Sequence, residues 1–440
     1  MKNLILNKQY NIGTLLIIFL FIFSGTNLTF SQPTEDEKRI LMQGFYWDCF
    51  NKTGEGEWWN HLEGKISELN SAGITEIWLP GAQKSHANPS MGYDPYDYYD
   101  LGEYDQKWSV ETSFGSRSEL ENLLSTMDSI GVKAYADVIF NHMSGGAEEW
   151  NPNVDDYTYT DFSPKSGKFE FHYDCFHPSS YQESDRGVFG GFPDLCHDNP
   201  KVMNTLKDYQ NWLLDLGYDG FRYDYTKGFG EDHLEEFQEQ GSFGVSEYFD
   251  GNKDKVKTHL SNANYSVHVF DFPLFYELKS MCNDNENGNY DMRALFWDGV
   301  VTDHPFHTVT FVSNHDTDHE GEIFTDKMLG YAYILTRDGL PTVFYKDYYN
   351  YGLARSETPN GIDRLMKARK NYATGAATEL YSSEDLLVMQ RDGSPGLLLV
   401  MNDAPATQKS VEVTTQWTDA TLKPYAWNSS ETSIIPHSEK

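Results

Sequence analysis

Residues 133–142 read KAYADVIFNH. The run from 133 to 140 is too short for a helix, carries no glycine or proline, and ends on the polar pair Asn141 and His142. Such a segment reads as a strand buried on both faces whose polar groups begin where the sheet stops. Seven further runs of the same kind lie at 40–47, 76–80, 220–224, 244–248, 268–272, 309–313 and 342–345. Between them stand amphipathic stretches such as 118–130, 203–216 and 362–370, with apolar residues at three- and four-residue spacing. Alternating strands and helices predict an α/β chain with a parallel sheet, and eight such strands predict a closed (β/α)8 TIM barrel.

Working outward, the rhythm breaks in three places. Residues 142–200 are rich in Asp, Tyr, Gly, Pro and Ser without helical period; so long a connection after the third strand predicts an inserted subdomain. From 372 to 440 short alternating runs at 386–390 and 396–401 predict a small antiparallel C-terminal β domain. At the other end, Lys2 and Lys8 precede an unbroken apolar run from Leu15 to Phe23. With the small residues that follow, this predicts a signal peptide over 1–31 and a chain that is secreted, periplasmic or on the cell surface. The run is shorter than a membrane span requires, so no stable span is expected in the mature chain. The resulting division is leader 1–31, barrel 32–141, insertion 142–200, barrel 201–371 and β domain 372–440.

Composition narrows the partner. With 34 basic and 67 acidic residues the formal charge is −33, which repels phosphate backbones and anionic membranes, so no nucleic acid is expected. Aromatic residues make up 15% of the chain, a content that suits a neutral, flat-faced ligand such as a sugar.

In a barrel of this type the site is assembled at the C-terminal ends of the strands. Asp137, Asn141 and His142 close the third strand, Arg222 and Asp224 the fourth, Glu247 the fifth, and Asn314, His315 and Asp316 the seventh. Acids recurring at strand after strand, beside Arg and His, suit glycoside cleavage. That reaction needs one carboxylic acid to protonate the leaving oxygen and one carboxylate to attack the anomeric carbon. An adjacent guanidinium is expected to keep the nucleophile charged, while burial and neighbouring carboxylates raise the acid.

These segments carry a family resemblance. DVIFNH (137–142), GFRYDYTKG (220–228), VSEYFD (245–250), FVSNHDTD (311–318) and FPDLC (192–196) resemble the α-amylase family of glycoside hydrolases over about residues 41–347. The stretch SMGYDPYDYYDLGEYDQK (90–107), and KG after the nucleophile motif, look most like the archaeal and plant-type members. The resemblance implies a retaining endo-hydrolase of α-1,4-glucosidic bonds in starch- or glycogen-like polysaccharides and oligosaccharides, working through a covalent glycosyl-enzyme intermediate. Asp224 would be the nucleophile, Glu247 the general acid/base and Asp316 a third, orienting carboxylate. Arg222 would pair with the nucleophile, His142 and His315 would bind sugar hydroxyls, Tyr93 would stack on the ring, and Lys227 would reach the leaving-group side.

The family also implies a calcium ion (Ca2+) tying insertion to barrel, here through Asn141, Asp185, Asp194 and the Gly228 carbonyl, with Gly187 as a further backbone donor. Archaeal relatives add zinc (Zn2+), and the matching positions are His177, Gln182 and Cys196. Glutamine is a poor zinc ligand, so Cys175 either replaces it or pairs with Cys196 as a disulfide, the reading preferred here. Rival readings are an α-glucan transglycosylase or α-1,6-glucosidase on the same barrel, and a catalytically silent glucan-binding protein.

Overall fold

Eight parallel strands close into a barrel in the computed structural model: β1 (Leu41–Gln43), β2 (Glu76–Leu79), β3 (Lys133–Val138), β4 (Gly220–Tyr223), β5 (Phe243–Ser246), β6 (His268–Phe270), β7 (Thr308–Phe311) and β8 (Leu340–Phe344). Each pairs with the next, and β8 returns to β1. The structure describes residues 2–5, 17–23, 35–54, 56–181, 189–238, 241–284, 289–354, 361–404, 406, 409–417 and 422–425. All eight expected strands are present, although most stop short of the apolar runs that announced them. Beyond the last ladder bond, the same residues turn outward as the polar rim of the barrel mouth.

Strand residues are buried throughout, apart from Lys133, Phe243 and His268 at strand starts. This follows from the wrapping of helices around a parallel sheet, which leaves neither face to water. The helix Arg117–Ser129 starts on a capping box in which the Ser116 N–H donates to Glu119 Oε2 at 2.8 Å. The helix Pro200–Leu216 is entered through Asn199, whose side chain accepts from the Lys201 N–H, and is stopped by Gly217 at φ 119°. Its buried stripe includes Val202, Leu206, Tyr209 and Leu213.

Between β3 and that helix lies the long connection. It holds an antiparallel hairpin of Ala147–Asn151 with Asp156–Asp161, a short 3-10 turn at Tyr173–Cys175, and isolated pairings of His142 with Asp194 and Phe176 with Leu195. Among the described residues of this connection no α-helix forms. Cys175 and Cys196 face each other across the last pairing, the Cys196 N–H donating to the Cys175 carbonyl at 2.9 Å. All four cysteines are free thiols, so the preferred Cys175–Cys196 disulfide is not formed here.

After the barrel, Ala377–Ser382, Leu386–Arg391 and Leu397–Asn402 run antiparallel in a sheet continued by Ile17–Phe23 and Leu422–Pro424. Arg391 joins this region to the barrel, while Arg369, in the last barrel helix, ties segments of the barrel to one another. Arg369, fully buried, donates to the carbonyls of Arg39 (3.0 Å), Arg337 (2.7 Å) and Gly339 (2.6 Å), and Arg391 to those of Gly375 (2.8 Å) and Thr336 (3.2 Å). Among the described residues no helix is long and apolar enough to cross a membrane.

Leu206 is completely buried in the core shared by helix and barrel. Leu206→Ala is therefore expected to lower the unfolding free energy by about 3 kcal/mol, read from the urea midpoint at unchanged slope.

Candidate active site

Arg222 and Asp224 lie two residues apart at the end of β4, so the alternation of strand side chains sends both into the barrel mouth. Arg222 is 1% exposed. Its Nη1 donates to Asp224 Oδ1 at 2.7 Å and to Asp137 Oδ1 at 2.8 Å, and its Nη2 lies 2.8 Å from Glu247 Oε1. One guanidinium thus holds carboxylates from β3, β4 and β5 together. Ladder bonds continue past the strand ends to fix them: Asp224 N–H donates to the Val138 carbonyl at 3.0 Å and Glu247 N–H to the Tyr223 carbonyl at 2.9 Å. Tyr225, next in chain, adopts a left-handed backbone (φ 44°) and aims its N–H at Glu247 Oε2, 3.0 Å away. A non-glycine residue there stores strain of order 1 kcal/mol or more, a feature that clusters at functional sites.

Asp316 enters from the first turn of the short helix His315–His319 that follows β7, with its Oδ2 3.5 Å from His315 Nε2. His315 is buried, and Gln43 Nε2 lies 2.8 Å from its Nδ1. Because the Gln43 amide nitrogen can only donate, Nδ1 accepts and Nε2 carries the proton, pointing toward Asp316. His142 Nε2 donates to the Tyr93 carbonyl at 2.9 Å, and its ring stacks on Phe189 and Phe192 at 5.1 and 5.2 Å. Tyr93 donates its hydroxyl to Asp137 Oδ2 at 2.9 Å, and its ring lies parallel to Trp47 and His315. Lys227 stands on the rim, 3.1 Å from Asp250 and over the Tyr248 ring.

Burial is the largest influence on these groups. It pushes Asp224 well above the usual carboxylate range, Arg222 pulling down and Glu247 and Asp137 pushing up. Asp137 and Asp316 are likewise raised by burial against the pull of Arg222. Arg222 touches Asp224 and Glu247 at nearly equal distance, so the guanidinium alone does not single out one carboxylate to remain charged. A single positive charge thus serves three acids, two of which, Asp137 and Asp224, are raised by their burial. Burial also lowers His142 to about 4 and His315 to about 3.

The sequence-predicted residues Asp224, Glu247, Asp316, Arg222, His142, His315 and Tyr93 thus meet in one cleft, with Lys227 at its edge. Three participants went unassigned from sequence. Asp137 joins Arg222, Tyr93 and Trp78, whose Nε1 donates to it at 3.1 Å. Gln43 orients His315, and Trp47 extends the ring stack. A polar Gln43 within an apolar strand was the available signal; Trp47 and Trp78 look like core residues in any one-dimensional reading.

Of the metal-ligating residues, Asp185 and Gly187, and with them Gln182, lie outside the described residues. The others converge. Asn141 Oδ1 is buried and accepts no hydrogen bond among the described residues, and a side chain at Gly228 would collide with that same oxygen. Asp194 is buried close by, paired with His142, its carbonyl accepting from the His177 N–H at 2.8 Å. An idle buried amide oxygen, a carboxylate and a close-lying glycine backbone form a hard-donor set that fits calcium. No group of three His, Cys, Asp or Glu able to hold a metal is present among the described residues, so nothing there builds the zinc site.

Both imidazoles fold with a pKa below the unfolded value of 6.5. Between the two values the unfolded chain binds more protons, so the stability is complete above pH 6.5 and is lost as pH falls toward 4. His142→Gln should flatten this acid limb, which is checked by comparing thermal unfolding of variant and wild type from pH 7 to about pH 4.

Known proteins share this architecture. The family model "Alpha amylase, catalytic domain" matches residues 45–271. The chain is 31% identical to a glucan 1,4-alpha-maltohexaosidase of Bacillus sp. (strain 707), covering 90% of this chain and 89% of the relative. Identity to an alpha-amylase of Bacillus licheniformis is also 31%, over 90% and 89% of the two chains. Both relatives are bacterial, and alpha-amylases of Arabidopsis thaliana are matched as well, at 26% identity. The crystal structure of an alpha-amylase from Geobacillus thermoleovorans, complexed with acarbose, superposes with a TM-score of 0.66 at 17% identity, covering 91% of this chain and 96% of that one. Taken with the barrel and its carboxylate cluster, these matches mean that the chain belongs to the α-amylase family and is a glycoside hydrolase.

Proposed function

We propose that this protein is an exported endo-acting α-amylase that hydrolyses α-1,4 bonds of starch-like glucans with retention at the anomeric carbon. The observation that carries the reading is the seating of Asp224 and Glu247 on the two terminal nitrogens of one guanidinium. Retaining glycosidases need their two carboxyl groups about 5 to 5.5 Å apart, and inverting ones leave a wider gap for water. Two acids sharing one guanidinium favour the narrow arrangement.

In this reading Asp224 attacks the anomeric carbon while Glu247, acting as the general acid, passes a proton to the departing glycosidic oxygen. Breaking that bond leaves a glycosyl ester on Asp224. Glu247, now a carboxylate, takes a proton from water, which attacks the same carbon, releases Asp224 and restores the proton. Asp316 accepts sugar hydroxyls and favours the distorted ring. His315, neutral with its proton on Nε2, donates to a hydroxyl, and His142 lines the same subsite. Tyr93 offers its ring to the sugar face, and Lys227 lies toward the leaving group. Asn141, Asp185, Asp194 and the Gly228 carbonyl would hold calcium, which fastens insertion to barrel without entering the chemistry.

Asp224→Asn and Glu247→Gln should each reduce kcat on soluble starch by about 10³-fold or more while glucan affinity persists. Unchanged turnover in either would end the assignment. Anomer detection by NMR tests retention, and isomaltose as sole substrate separates the α-1,6 reading. Gly228→Ala, which drives a methyl group into Asn141 Oδ1, should erase most of the difference in thermal midpoint between calcium-loaded and chelated protein. Export is tested at the N-terminus. If 1–31 is a leader, the secreted protein begins beyond Phe23, the end of a strand now paired with Leu397–Asn402; recovery of secreted protein retaining that strand would overturn the leader.

A further inference from the structure

The hairpin of the insertion is turned the wrong way round for a protein surface. Its polar side chains point inward: Thr158 and Thr160 share a hydrogen bond of 2.7 Å, Thr160 donates to Glu149 Oε1 at 2.7 Å, and the Tyr173 N–H donates to the same oxygen at 2.6 Å. The outward face carries Trp150, Tyr157 and Tyr159, which are 48%, 59% and 64% exposed. Trp150 is paired directly across from Tyr157, their rings 5.4 Å apart, and Tyr159 follows two residues on along the same side. A folding chain gains by the opposite arrangement, so an aromatic face left in water marks a binding surface.

We propose that this face is a second binding site for α-glucan, which holds a polysaccharide chain while a neighbouring stretch of it occupies the catalytic cleft. The proposal rests on the activity proposed above. Three observations choose the occupant. The platform is built of flat rings with polar tips rather than of Leu, Ile or Val, which suits a ligand presenting C–H faces edged by hydroxyls. Glu148, Asp155 and Asp156 stand exposed on the same hairpin, and the chain carries a charge of −33, so acidic polymers are repelled and a neutral one is not. The platform is also joined to the cleft by a short stretch of chain. His142 of the cleft is only four residues before Gly146, which packs against the Tyr159 carbonyl, and Gly145 packs against the His86 ring. Trp108, 78% exposed, lies 6.4 Å from His86 on this path. His86 and the exposed Trp108 thus stand beside the chain segment that links His142 to the hairpin.

The test uses the full chain with Trp150, Tyr157 and Tyr159 all changed to serine, beside Trp150→Phe as the conservative control. Depletion onto insoluble starch should weaken about tenfold or more in the triple variant and stay near wild type in the control. Hydrolysis of maltohexaose, a short soluble substrate for the catalytic cleft, should keep its kcat/KM within about twofold, which also certifies an intact fold. Undiminished starch retention in the triple variant overturns the platform. So does sedimentation showing a wild-type dimer that the triple variant dissociates while starch retention is unchanged, since the face then binds a second copy of the chain. Starch retention is read separately from turnover, so a failure of Asp224 or Glu247 to matter would remove the proposed chemistry without imitating the loss of the platform.

Discussion

A single buried cation organises the active end of this molecule. Removing a guanidinium from water costs several kcal/mol or more, and it is tolerated only where opposite charges and hydrogen bonds replace the lost hydration. Around Arg222 these are supplied by Asp137, Asp224 and Glu247, with the Trp78 ring 4.9 Å from its carbon centre. The dependence runs both ways, because three buried acids without the cation would repel one another. Arg222 therefore sets how closely the carboxylates can approach one another.

The barrel makes that convergence possible. Because β3, β4 and β5 are adjacent and in register, with Arg222 opposite Asp137 on one side and Val245 on the other, three acids distant in sequence lie within reach of one side chain. The ladder does not end with the regular strands, since the backbones of Asp224 and Glu247 are bonded to the neighbouring strand as well. Such groups are held by sheet rather than by loop, which preserves the geometry that chemistry requires.

The wall opposite is built from rings. Trp47, Tyr93 and His315 lie nearly parallel, and Gln43 beneath them selects the tautomer of His315. Burial keeps His142 and His315 neutral, so they offer directional hydrogen bonds without adding charge to a cluster already balanced around Arg222. The insertion adds Phe189 and Phe192 behind His142, and its Asp194 pairs with His142, next in chain to Asn141, whose amide lies against Gly228. In the proposed reading, substrate contact and the attachment of the insertion thus pass through the same two consecutive residues, Asn141 and His142.

Much was legible in one dimension because it depends on local chemistry. The eight apolar runs mark strands, since a strand covered on both faces has no polar positions to offer. The acids closing those runs mark a barrel mouth, since a polar group can appear only where the sheet ends. Motifs around Asp224, Glu247 and Asp316 carried the family for the same reason. Tertiary structure alone decided that Asp137 is a partner of Arg222 rather than a strand-end acid, and that Gln43 orients an imidazole 272 residues away. It decided too that one guanidinium is shared rather than assigned, and that Trp150, Tyr157 and Tyr159 face water. Each of these turns on which side chains meet across strands or on which face of a hairpin is covered. That information resides in the packing of distant segments, and no property of a residue and its immediate neighbours contains it.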